Sequence, residues 1–505
     1  MPEHIRAYIL LVVLSWSAFI ILSRWSPLPK DNDKIKLWSL YWIAATSVAF
    51  LSHNYWVFAL LIGFFLIFIA DKKKENHLII YFLLLPALPV LENEIPGFGG
   101  MRVLLPISWP RLLVLCVLLS IMFSSDKHAA PDKEKAYFPT DKYLFSFVGL
   151  SAILAFRDSG VTDAFRASVL LMIDIFIPYY VISRNLKTVT QFRYVFYAIA
   201  CSAFVLSIAG GIETFKGWHL YDSLNRAIDL PGQLFAYEWR EGFLRASTTM
   251  APIPFGYFLV IGIGTLVFFK PYYSSFRFYS ILAVMLIGLL SSFSRAGWMG
   301  FALFLVIISF YDRQQAKALG RLAAGAIVGI FLIGLLPGGE RFFSVLPFIG
   351  DTDLATGTVD YRTQLFDNSI LVIQRNLLFG SSDYLATDEL VAMRQGQGII
   401  DIVNTYLQIG LSKGLVGLSL FIGIFASLLL GIRKAMLRSG SMEPDYRRLG
   451  QVLLGVLVVI LFIIATVSSV HQIPNYYWAI IGLSAAYVNM MNTHISGHSS
   501  HVDES

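Results

Sequence analysis

The chain is short of charge. Only 14% of its 505 residues are charged, against roughly a quarter in an ordinary soluble domain. Cysteine is scarcer still. There are 2, Cys116 and Cys201, each inside an apolar run, which leaves no disulfide framework and no cysteine-type metal site. Strict apolar-polar alternation is missing, so a transmembrane β-barrel is excluded. No internal repeat and no helix broken at mid-span by Gly or Pro stands out, which argues against a transporter built from inverted halves. The net charge of +6 lies scattered in short loops rather than in one patch, and no nucleic-acid partner is expected.

What is present is apolar length. The chain is 56% hydrophobic with mean hydropathy +0.65. Its apolar runs reach about 16 to 25 residues, enough to cross about 30 Å of hydrocarbon as helix. The sequence therefore specifies an all-α polytopic membrane protein. Spans are expected near 7–23, 37–52, 55–70, 77–92, 107–124, 141–155, 168–183, 191–212, 252–269, 276–293, 297–311, 321–337, 404–430, 451–469 and 475–491, for a total of about 12 to 15. Met1 to Arg6 leads straight into the first run with no small-residue cleavage site, which reads as a retained helix. The polar end, with His494, His498 and His501, reads as a disordered tail.

Basic loops set the orientation. Lys72–Lys74, Lys127 to Lys142, Arg184 to Arg193, Arg313 to Arg321 and Arg433 to Arg448 mark the cytoplasmic side. The loops 93–106, 156–167, 213–251 and 338–402 then face outward. On this reading the turn Ser291–Trp298 is external only if a neighbouring short span is merged or re-entrant. The aromatic group Tyr476-Tyr477-Trp478 reads as an interfacial belt.

The outward loops hold an asymmetry. Between 338 and 402 there is no lysine, yet Arg341, Arg362, Arg375 and Arg394 are present. Arg102, Arg157, Arg166, Arg226, Arg240 and Arg245 also lie outside. These arginines either solvate loops beside nearby acids, or a subset binds an anion through the rigid guanidinium fork. Arg295, between two apolar runs, is costly unless it meets water, the interface or an anion. Its alternatives are a snorkelling side chain and an anion ligand. In the long loop, Tyr361 to Phe379 has an amphipathic pattern with Leu365, Phe366, Ile370, Ile373, Leu377 and Leu378 on its apolar face. Gly380 ends it, and Thr387 or Asp388 opens a second short helix. A loop of this length with its own helices is a lid or binding element. No external cluster of metal ligands stands out, Asp351-Thr352-Asp353 being a lone pair. No metal and no cofactor is expected.

Four segments carry a resemblance. They are Arg245-Ala246-Ser247-Thr248-Thr249-Met250-Ala251-Pro252, Ser294-Arg295-Ala296-Gly297-Trp298, Arg362 through Gly380, and Asn404-Thr405-Tyr406-Leu407-Gln408 followed by Gly414-Leu415-Val416-Gly417-Leu418. Their order and spacing around one large loop resemble the O-antigen ligase and Wzy-type polysaccharide polymerase family, from about 245 to 425. The first 240 residues resemble it only as a hydrophobic pattern. The resemblance implies a C-type glycosyltransferase-like membrane fold and a metal-independent, inverting transfer. The donor would be an undecaprenyl-diphosphate-linked oligosaccharide, and the acceptor a second glycan or lipid A core. It implies Arg245 and Arg295 on the diphosphate, with Arg362, Ser294, Trp298, Asn404 and Tyr406 around the substrate. Ligases carry a histidine just before the Asn of the last motif. Here that position is Val403, and the nearest ionisable residue is Asp401, which is either a general base or a helix cap.

These features divide the chain into N-terminal helices (1–240), a core with the arginine motifs (241–337), a periplasmic loop (338–402), C-terminal helices (403–491) and a tail (492–505). They point to a polymerase of an exopolysaccharide or O-antigen in a bacterial inner membrane. A ligase onto another acceptor and a polysaccharide or anion transporter are the alternatives. Membrane lipid, a flippase and chain-length or export proteins are the expected partners. A topology reporter fused at Gly357 is expected to behave as external; a cytoplasmic-type signal there overturns the site assignment.

Overall fold

The computed structural model describes residues 1–28, 32–70, 74–99, 101–123, 139–240, 242–311, 352–395, 398–439, 443–469 and 472–502. The expected span 321–337, Arg341, His471 and most of the lysines at 72–74 and 127–135 lie outside the described residues. The chain is an all-α polytopic membrane protein. Among the described residues 5 helices are long and apolar enough to cross a bilayer, and five more apolar helices run 10–17 residues. β-structure is confined to two short hairpins, Glu92–Pro96 with Val103–Ser108 and Trp239–Arg240 with Phe243–Leu244.

Among the five long apolar helices the most buried is Val189–Lys216, with 83% of its spanning window buried. Thr188 and Gln191 close a capping box at its start, and Gly217 ends it with φ +62°. Helices Glu3–Arg24, Lys74–Leu84, Pro252–Phe268 and Ser275–Ser291 pack against it. Tyr476, Tyr477 and Trp478 are 5%, 4% and 2% exposed. They belong to the packed interior, where Tyr477 and Trp478 pack with Phe421, and not to an interfacial belt.

Named contacts sort the loops onto two ends. At one end Asp445, 2% exposed, accepts from Arg193 Nε (2.8 Å), Tyr272 Oη (2.5 Å) and Arg448 Nη1 (2.6 Å). Asp141 there accepts from Arg184 Nη2 (2.6 Å). At the other end Ala246 N donates to Ser291 O (2.8 Å), and Arg226 Nη2 donates to Glu3 (2.6 Å). The turn after Ser291 thus lies with the 213–251 loop and needs no merged or re-entrant span. The basic residues Lys270 and Arg277 flank the intervening turn, an additional basic loop that makes the helix count consistent. The expected disordered tail is helical as far as Val502. His494 there packs on Tyr446, ring centroids 5.5 Å apart.

The lobe after residue 352 is fastened to the bundle through backbone. Helix Thr352–Arg375 starts earlier and stops earlier than the expected 361–379. Its buried side is Leu365, Ser369, Val372 and Ile373, whereas Phe366, Leu377 and Leu378 are exposed. Residues 377–381 instead leave the helix to pair with helix Thr405–Arg438. Leu415 N donates to Leu377 O (2.8 Å), Val416 N to Leu378 O (3.2 Å), and Ser381 N to Leu411 O (2.9 Å). The receiving helix breaks at Gly414, with φ +65° and ψ −167°. A Cβ on Gly414 would sit 2.3 Å from Leu378 C, and one on Gly380 (φ +63°) 2.4 Å from Leu411 O. Only glycine fits both places. Arg157 Nη1 adds bonds to Phe379 O and Gly380 O, both 3.1 Å.

Candidate functional site

Two turns meet at the Glu3 end of the bundle. Helix Ser275–Ser291 ends there, and the last carbonyls of a helix lack intrahelical donors and carry partial negative charge. They draw two arginines of the other turn: Arg245 Nε donates to Ser292 O (3.4 Å) and Arg240 Nη1 to Phe293 O (3.1 Å). Each turn holds a non-glycine residue at positive φ, Thr248 at +49° and Phe293 at +45°. Such backbone costs roughly 1–3 kcal/mol and persists only where surroundings enforce it. Here Gly256 and Gly297 let helices Pro252–Phe268 and Arg295–Tyr311 touch closely. A Cβ on Gly297 would lie 3.2 Å from the Gly256 backbone.

Ser294 and Trp298, expected around the substrate, hold this turn. Ser294 Oγ accepts from Gly297 N (3.3 Å), an N-cap bond. Trp298 Nε1 donates to Leu289 O (2.9 Å). Arg295 begins helix Arg295–Tyr311, whose first turn has no acidic residue. A cation at a helix N-terminus opposes the helix dipole, which favours anions. Arg295 is half-buried, and its Nε is buried without a hydrogen-bond partner among the described residues. Arg245 is placed differently. It is ion-paired with Glu238, and burial pulls its guanidinium below the ordinary arginine value against the opposing pull of that carboxylate.

The Arg245 turn is built on Glu213, a residue the sequence reading passed over. Glu213 is 0% exposed. Its Oε1 accepts from Leu220 N (2.9 Å), and its Oε2 from Ser247 N and Thr248 N (both 2.9 Å). His219 Nδ1 lies 3.3 Å from the same Oε2. One side chain thus satisfies three backbone donors of irregular chain. The available signal was an acid closing an apolar run just ahead of a long irregular loop, where backbone donors need an acceptor. Among the aromatics of this loop, Tyr221 is buried and Trp218 Nε1 donates to Glu3 (3.0 Å), so both pack the loop.

A third turn, after helix Pro444–Ile464, gathers the remaining segments. Arg362 Nη2 donates to Thr466 O (3.2 Å), Thr405 Oγ1 to Val467 O (2.9 Å), and Ser469 N to Gln408 Oε1 (3.3 Å). Gln472 Nε2 donates to Thr249 O (3.1 Å), which ties this turn to the Arg245 turn. Asn404 is itself the helix cap: its Oδ1 accepts from Tyr406 N (2.9 Å) and Leu407 N (3.2 Å). Asp401 is therefore not the cap. Its carbonyl accepts from Tyr361 Oη (3.0 Å), and its carboxylate lies within electrostatic reach of Arg362. Tyr406 Oη donates to Leu461 O (3.0 Å), a fastening bond between helices. The structure brings all eight expected residues to one end of the bundle. Among the described residues, no hydrogen bond or ion pair joins Arg295 to Asp401. Among the described residues, no group of three or more His, Cys, Asp or Glu side chains is placed to hold a metal ion.

The chain is thus a multi-pass membrane protein in which a half-buried arginine at a helix N-terminus and two further arginines on the adjoining turn lie at one end of the bundle. Residues 280–422 match the family model described as O-antigen ligase. The matched stretch includes Arg295, Arg362, Asp401 and Asn404; Arg245 and Glu213 precede it. No curated protein matches the chain.

Removing the Glu213 carboxyl leaves buried N–H groups unmet, at roughly 1–3 kcal/mol each. Glu213→Ala is expected to lower the thermal unfolding midpoint of the purified protein clearly, with Glu213→Gln intermediate. An unchanged midpoint in Glu213→Ala would show that water replaces the carboxyl.

Proposed function

We propose that the protein transfers a glycan from undecaprenyl diphosphate to a growing glycan at the external face of a bacterial inner membrane, as a polymerase. The observation that carries this reading is Arg295. A guanidinium with a buried, unpartnered Nε at the N-terminus of a 17-residue helix is complementary to a diphosphate, and costly without an anion. Arg245 and Arg240 lie on the adjoining turn, and Arg362 reaches the same end from the lobe. A lipid diphosphate is an activated leaving group. The cations would hold it and absorb the charge that develops as the glycosidic bond breaks. No step in this scheme calls for a metal, and the transfer would invert the anomeric centre.

Val403 stands where ligases of the family carry a histidine, so any proton uptake from the acceptor hydroxyl falls elsewhere. Asp401 is free of the capping role and sits beside Arg362. It is the candidate base. The same absence of histidine favours the polymerase over the ligase, which remains the second reading. The loop 338–402 would then be the periplasmic cover of the site.

Arg295→Lys is expected to reduce polymer formation on the order of 10²-fold, because one ammonium does not reproduce a two-pronged phosphate contact. The variant should insert and accumulate normally; near-wild-type polymer sinks the diphosphate role. Asp401→Asn is expected to lower turnover by about 10²- to 10⁴-fold with donor binding nearly unchanged. Full activity in that variant removes Asp401 from the chemistry.

A further inference from the structure

A cleft of about 580 Å³ opens beside Ser469, in the turn that follows helix Pro444–Ile464. Helices Pro139–Asp158, Val161–Leu171 and Thr405–Arg438 form its sides, and Tyr384 reaches it from the lobe. No step above uses it. Its size lies within the usual range of small-molecule sites.

The wall mixes two kinds of surface. Half-buried Tyr384 presents ring surface beside Leu170 and Leu171, while Gln408, Ser469 and Lys413 present polar groups. Lys413 is the informative residue. It is half-buried on helix Thr405–Arg438, level with the root of the lobe, where Ser381 N donates to Leu411 O. A partly buried ammonium is costly unless it meets water or a polar partner. Lys413 makes no hydrogen bond or ion pair among the described residues. Asp158 lies within its electrostatic reach but is engaged by Arg157. Gln408 gives its oxygen to Ser469 N, which leaves its amide donors for a guest. Asp174, on the π-helical turn Met172–Phe176, also lines the cleft and is held by Arg111 Nη2 at 2.9 Å.

This combination discriminates among guests. A lipid tail gains nothing from an ammonium, a carboxylate and an amide. A small anion gains nothing from the Tyr384 ring and meets Asp158 and Asp174. A sugar residue has both an apolar ring face and a rim of hydroxyls that donate and accept. We infer that the cleft is a saccharide subsite, which takes one or two sugar residues of the acceptor glycan. A ring face lies on Tyr384, and hydroxyls meet Lys413, Asp158 and Gln408. The assignment of the sugar as acceptor rests on the transferase reading above. The shared turn supports it: Ser469 lines the cleft, and Thr466, three residues earlier, receives Arg362.

The test uses the full-length protein in nanodiscs with two sets of probes. Saturation-transfer NMR reads binding of glucose, galactose, mannose, rhamnose and N-acetylglucosamine; a retention assay reads undecaprenyl diphosphate. At least one sugar is expected to bind. Lys413→Met and Tyr384→Ala should each weaken that sugar about five- to tenfold, the loss of one or two contacts, and leave undecaprenyl diphosphate unchanged. Arg295→Lys should show the reverse pattern. Lys413→Gln, which keeps a polar side chain, guards against misfolding and should fall between Lys413→Met and wild type. Absence of any sugar signal, or a signal indifferent to both cleft variants, overturns the subsite. So does a loss of undecaprenyl diphosphate in Lys413→Met equal to that in Arg295→Lys. Sugar binding without any undecaprenyl diphosphate binding by the wild type supports the subsite and overturns the donor reading instead.

Discussion

Everything at the active end depends on how irregular backbone is satisfied near hydrocarbon. Water is scarce there, and each unmet N–H or C=O costs several kcal/mol. The chain answers with two devices of opposite sign. Glu213 supplies buried acceptors to three backbone donors. The spent end of helix Ser275–Ser291 supplies carbonyls to Ala246 N, Arg240 and Arg245. Together they hold a long non-helical stretch at the membrane face without a sheet to carry it.

With those demands met, the chain tolerates local arrangements that would otherwise be rejected. Phe293 and Thr248 stay in left-handed backbone, and Arg295 sits where the helix dipole repels it. Departures from local preference gather where function requires them. Their coincidence on adjoining turns separates this end from the opposite one, where buried Asp141 and Asp445 neutralise the arginines that approach them. Among the described residues, the Glu3 end keeps the buried Arg295 Nε without a hydrogen-bond partner.

Much of this was legible in the chain itself. Apolar length fixed the class, because span length is dictated by bilayer thickness. Arg245, Arg295, Arg362 and Asp401 were visible as charges out of place. What was not legible depended on contacts between distant segments. Asn404 rather than Asp401 caps its helix because the cap is decided by local backbone angles. Ser294, Trp298 and Tyr406 spend their polar groups on carbonyls or N–H groups of the turn and its helices. Glu213 escaped notice because its partners are backbone atoms, which leave no mark in side-chain patterns. The expected helix 361–379 was misjudged at both ends because residues 377–381 exchange intrahelical bonds for bonds to another helix.

That exchange carries a consequence for how the chain can vary. Residues 377–381 and 411–416 share one ladder of hydrogen bonds, with glycine at both crossing points. The two segments are therefore in register as two strands are, although neither is a strand. A residue gained or lost between 376 and 381 shifts every rung and moves a side chain into a space that admits only hydrogen. Length changes are thus tolerated only outside the ladder. The rest of the lobe can vary in sequence and size while its root stays fixed in number.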